Sequence, residues 1–123
     1  MTERFNEHTP FILIARIKVK PDCVEQYLKL AELTDVKVFQ NEPGMLHHTF
    51  DQHPDNPLSF TWSEMYQNDQ AFFDHLSNPD VITYLKKHEE LSSDFTVEVY
   101  GTVGPECFEP VSYTHLTLPT MFE

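Results

Sequence analysis

The chain has 123 residues, a hydrophobic fraction of 40% and a formal net charge of −12, which leaves room for one packed core and too little for two. Ten Phe, five Tyr and one Trp exclude wholesale disorder, and the acidic surface repels polyphosphate backbones and anionic bilayers, so neither nucleic acid nor membrane is an expected partner. Cys23 and Cys107 lack CxxC spacing, and the polar stretch Met1 to Pro10 has no apolar core; reduced thiols and a cytoplasmic protein are the expectation.

Phe11 to Val19 is apolar and rich in β-branched residues, which predicts a largely buried strand ended by Pro21. Asp22 is placed to cap a helix running to about Asn41, because Val24, Tyr27, Leu28, Ala31, Thr34 and Val38 recur at helical spacing; Pro43-Gly44 ends it. Met45 to Gln52 and Leu58 to Tyr66 read as a hairpin across the turn-rich His53-Pro-Asp-Asn-Pro57. Asn68 or Asp69 caps a short helix with Phe72, Phe73, His75 and Leu76, and Ser77-Asn-Pro79 restarts a helix through Tyr84 to about Leu91. Phe95 to Val103 alternates as a last strand. The order β-α-β-β-α-β, with the third helical piece a broken continuation of the second helix, is an α+β, ferredoxin-like arrangement with an antiparallel sheet.

The expected organisation is an extension at 1–10, a domain at 11–103 and a tail at 104–123. Within the tail, Val111-Ser-Tyr-Thr-His-Leu-Thr-Leu-Pro-Thr120 resembles one translated frame of a transposase adapter used in sequencing-library preparation, so 111–123 is read as non-native.

That order of elements hosts many chemistries. Motifs narrow it: Leu13-Ile-Ala-Arg-Ile-Lys-Val-Lys-Pro21, Asn41-Glu-Pro-Gly44, Asp55-Asn-Pro57, Phe60, the triplet Glu64-Met-Tyr66 and Ala71-Phe-Phe-Asp-His75. In order and spacing they resemble the antibiotic biosynthesis monooxygenase (ABM) domain family, whose triplet reads Glu-x-Trp. The resemblance implies homodimers whose sheets face each other as a dimeric α/β barrel, and a small cavity between each sheet and its helices. It implies quinol or phenol oxidation by molecular oxygen without a cofactor, haem breakdown, or isomerisation of a small sugar.

His75 shares a helix side with Phe72, so a half-buried imidazole is the candidate general base for a phenolic proton. A core histidine bonded to a backbone carbonyl is the plainer alternative. Phe60, Trp62, Glu64 and Tyr66 share one strand face, an aromatic wall with one carboxylate to orient a histidine or a substrate hydroxyl. Glu64 is alternatively an ordinary glutamate satisfied by Arg16. The candidate catalytic residues are His75 and Glu64, and the candidate substrate-binding residues are Tyr66, Trp62, His48, Phe72, Tyr84 and Arg16.

His47 and His48 point to opposite strand faces, and His47 lies about 13 Å along the strand from Asp51, so no metal site is expected. In the haem-degrading branch, Asn, Trp and His stand where this chain has Ala15, Tyr66 and Lys86; His88 lies on the other side of the helix from Lys86, which disfavours haem. The sequence favours an oxygen-dependent, cofactor-free monooxygenase of quinol-like or phenolic molecules. The rivals are an isomerase or hydrolytic-type enzyme of a small polar metabolite, and a non-catalytic small-ligand sensor or stress protein.

Overall fold

A computed structural model describes residues 9–104. Most of the N-terminal extension, and the tail from 105 onward with its adapter-like 111–123, lie outside the described residues. The elements are β1 Phe11–Val19, α1 Val24–Asn41, β2 Met45–Gln52, β3 Ser59–Tyr66, α2 Asp69–Ser77, α3 Pro79–Leu91 and β4 Ser92–Tyr100. They form one open four-stranded antiparallel sheet in the order β2-β3-β1-β4, as the β-α-β-β-α-β pattern requires when each strand pairs antiparallel. No helix among the described residues is long and apolar enough to cross a membrane.

Strand period sets the two faces of this sheet. Phe11, Leu13, Ala15, Ile17 and Val19 of β1, and Phe60, Trp62, Glu64 and Tyr66 of β3, are all buried on the inner face. The helices cover that face: Tyr27, Ala31, Thr34 and Val38 make the buried stripe of α1, and Val81, Tyr84, His88 and Leu91 that of α3. The aromatic set of β3 is therefore wholly internal. The outer face carries Ile12, Ile14, Met65 and Tyr100 instead, with Tyr100 57% exposed.

Three boundaries move. The helix start falls at Cys23, not Asp22, and without a side-chain cap; the turn in which Cys23 N–H donates to the Lys20 carbonyl takes up Pro21 and Asp22. The last strand starts at Ser92, because Ser92 ends α3 and already pairs with Val19. It stops at Tyr100 because Gly101 takes a φ of 128° and a Cβ there would meet the Phe11 Cβ at 2.8 Å. Asn78 breaks the second helical stretch as expected: it closes α2, and its side chain accepts the Asp80 N–H to open α3 with Pro79 behind it.

In β2, Met45 pairs with Tyr66 but His47 pairs with Met65, so Leu46 is an extra residue, a β-bulge. Beyond it His48 and Phe50 stand opposite Glu64 and Trp62 on the inner face, and His47 and Thr49 opposite Met65 and Ser63 on the outer one.

Candidate functional site

Between the inner sheet face and the helices lies a largely apolar cavity of about 80 Å³. This is smaller than the few hundred Å³ usual for small-molecule sites, and suits a single small ring. His75, Glu64, Tyr66, Trp62, His48, Phe72 and Tyr84 all border it. Arg16 does not: it pairs with Thr61 on the opposite parity of β1, and its Nε donates to Glu98 Oε1 at 2.6 Å on the outer face. Glu64 is consequently not satisfied by Arg16. Its Oε1 accepts the Tyr66 hydroxyl at 2.7 Å, a bond wholly within the buried wall.

His75 is held by a residue the sequence reading passed over. Glu42, at the C-terminal cap of α1, is only 6% exposed. Its Oε1 accepts from His75 Nδ1 at 2.9 Å, and its Oε2 accepts from Asn78 Nδ2 at 2.8 Å. The break between α2 and α3 thus fastens the end of α1, and the carboxylate, not a backbone carbonyl, is the partner of the imidazole. With Nδ1 committed, Nε2 is the nitrogen left for the cavity. Burial, the largest single influence on this ring, pulls its pKa down; the charge of Glu64 and the hydrogen bond and charge of Glu42 together outweigh it, so His75 titrates above its usual 6.5.

A second imidazole–carboxylate pair sits across the sheet edge. His48, the cross-strand neighbour of Glu64, makes a short hydrogen bond through Nδ1 to Asp35 of α1, and both border the cavity. Deeper, Trp62 Nε1–H donates to the Tyr84 hydroxyl at 2.9 Å; Tyr84 and Tyr27 share a short hydrogen bond, and Tyr27 lies 2.7 Å from His88 Nδ1. Desolvation holds the Tyr27 and Tyr66 pKa values well above the usual 10 and raises that of Tyr84, so all three stay protonated. It pushes His88 down to about 4.

Glu42, Asp35, Tyr27 and His88 are the site residues that sequence reasoning missed as such. Tyr27 was legible as a core position, and His88 as a residue turned away from Lys86, which is exposed; neither pattern names a partner. Among the described residues no group of three His, Cys, Asp or Glu is arranged to hold a metal ion.

Comparison with known proteins agrees with this architecture. A candidate antibiotic biosynthesis monooxygenase from Nitrosomonas europaea superposes with a TM-score of 0.73 at 20% identity, covering 84% of this chain and 98% of that one. One from Caulobacter crescentus superposes with a TM-score of 0.74 at 18% identity, over 80% and 93%; at such identities the likeness is one of fold. An uncharacterised protein of Synechocystis sp., sll1783, is 28% identical over 82 residues, 67% of this chain and 55% of that relative, so the chain spans about half the length of the curated relative it matches. Residues 10–87, from the start of β1 almost to the end of α3, match the sequence profile described as antibiotic biosynthesis monooxygenase, and the chain belongs to that family.

Proposed function

We propose that the protein oxidises a small phenolic or quinol-like molecule with molecular oxygen, without a cofactor, in the cavity bordered by His75. The observation that carries this reading is the Glu42–His75 pair in an aromatic, largely apolar chamber. A carboxylate on Nδ1 fixes the tautomer that leaves Nε2 as proton acceptor, and Glu42 and Glu64 stabilise the imidazolium formed. Taking the phenolic proton leaves an electron-rich phenolate, the species that reduces oxygen. Trp62, Tyr66 and Phe72 supply flat apolar walls for the ring. Oxygen uptake with a panel of phenols and quinols tests it: uptake in wild type that His75→Ala abolishes supports the reading, and turnover without oxygen rejects it.

The Asp35–His48 pair favours a second reading, an isomerase of a small polar metabolite, since two imidazoles on one cavity can take a proton from one atom and return it to another. Anaerobic turnover would select it. A homodimer formed by the outer sheet faces accompanies either reading, because among the described residues Ile12, Ile14, Met65 and Tyr100 form a partly exposed, partly apolar surface. A stable monomer in sedimentation at micromolar concentration would reject the dimer.

A further inference from the structure

Away from His75, the cavity meets a buried run of polar groups. Trp62 Nε1–H reaches Tyr84, Tyr84 reaches Tyr27, and Tyr27 reaches His88 Nδ1. On the far side of the ring Ser92 Oγ lies 3.4 Å from His88 Nε2, while the Ser92 hydroxyl donates to the His88 carbonyl at 2.7 Å. Tyr27 is 0% and His88 2% exposed.

A buried chain of hydroxyls has a direction, and its members without a choice set it. Trp62 can only donate, but a phenol oxygen can accept twice, so that end leaves the direction open. The other end closes it. Ser92 has given its proton to the His88 carbonyl, so its oxygen faces Nε2 as an acceptor, which selects the ring tautomer protonated at Nε2. Burial keeps that ring neutral at ordinary pH. Nδ1 is then a bare acceptor; Tyr27 donates to it, and the Tyr27 oxygen in turn accepts from Tyr84. The Tyr84 proton is thus turned away from the cavity that Tyr84 borders.

We propose that the Tyr84 oxygen is a hydrogen-bond acceptor for the ligand, its polarity set from Ser92 through the positioning residues His88 and Tyr27, so that the preferred ligand carries a hydroxyl or N–H donor at both ends of a ring. Both acceptors border the one cavity: His75 with Glu64 beside it, and Tyr84 held by Trp62, two residues from Glu64 on the same strand face. This rests on the reading that the cavity takes a phenolic ligand, and specifies its second end.

Calorimetric titration under nitrogen at about pH 9, where His75 is neutral and Nε2 can only accept, with hydroquinone, 4-methoxyphenol and 1,4-dimethoxybenzene tests it. Wild type should bind hydroquinone about tenfold more tightly than 4-methoxyphenol, whose ether oxygen would face the Tyr84 lone pair, as expected for one unmatched buried polar group. In Tyr27→Phe the Tyr84 proton is released toward the cavity and can meet the ether, so the ratio should fall to about one, a change that mere loosening of the core would not produce selectively. Equal wild-type affinities for the two phenols, or an unchanged ratio in Tyr27→Phe, would overturn the proposal while leaving the cavity reading intact. Failure of all three probes to bind would overturn both. Nitrogen-15 NMR of the unliganded wild type needs no variant: it should show His88 neutral and protonated at Nε2 between about pH 5 and pH 8, and a ring protonated at Nδ1 would refute the proposed direction.

Discussion

Replacing Glu42 by Gln separates the charge of this buried carboxylate from its shape. Two donors, His75 Nδ1–H and Asn78 Nδ2–H, converge on its two oxygens; an amide offers one oxygen, so one donor must face an NH₂ group. Asn78 cannot flip its amide freely, because its Oδ1 accepts the Asp80 N–H at the start of α3. A buried donor left without an acceptor costs about 1–3 kcal/mol while the ring keeps its Nδ1 proton. A second loss depends on pH. Hydrogen bonds to charged groups contribute about 1.5–3 kcal/mol against 0.5–1.5 for neutral ones, so losing the charge removes about another 1 kcal/mol wherever His75 is protonated. Because the folded-state pKa of His75 lies above its free-chain value of 6.5, this stabilisation is complete below about pH 6.5 and fades as pH rises through the folded-state value. The Tm deficit of Glu42→Gln relative to wild type should therefore be about 4–8 °C larger at pH 5.5 than at pH 9, using the usual conversion for a domain of this size. Paired calorimetric scans at the two pH values measure it. An equal deficit at both, or a larger one at pH 9, would refute the placement of an imidazolium against Glu42.

If His75 is the proton acceptor, kcat/KM for phenol oxidation should rise with pH through an apparent pKa above 6.5, and Glu42→Gln should move that inflection downward, since burial then acts with less opposition; a pH-rate profile decides it. His75→Ala should slow oxidation by about 10² to 10⁴ with circular dichroism unchanged, and a folded variant oxidising at the wild-type rate would remove His75 from the chemistry. Phe72→Ala, which deletes a buried ring packed on Phe11 and Tyr66, should cost about 3–5 kcal/mol in denaturant unfolding. Gly44→Ala should cost about 1–3 kcal/mol, because its Cβ would lie 2.6 Å from the Ala71 Cβ; a neutral effect would show that α2 can shift to make room.

Period and punctuation made most of the fold legible. The stripe of α1, the inward parity of Trp62, Glu64 and Tyr66, and the Asn78-Pro79 restart all follow from local rules and stand in the structure. Arg16 was legible too: it alternates with Ala15 and Ile17, which puts it outward, and its link to the cavity contradicted that parity. Glu42 was not legible, because a glutamate before Pro-Gly looks like any solvated helix end; only the packing of Asn78 and His75 against it, 36 and 33 residues on, makes it a buried anion. The same holds for Asp35 with His48 and Tyr27 with His88, whose pairing depends on where separate elements land.

The extra residue at Leu46 works as a slack link in the chain. Were Leu46 lost, Met45 would still face Tyr66 and His47 would still face Met65, so the closed-up strand would keep His48 and Phe50 on the cavity. A deletion one step past His48 has no such slack and would exchange the inward and outward sets for the rest of β2. Insertions and deletions drifting through this segment over evolutionary time are thus filtered by position: the α1–β2 junction can absorb a change in length at Leu46 without altering what the cavity contains, whereas the stretch from His48 to Gln52 must keep its count.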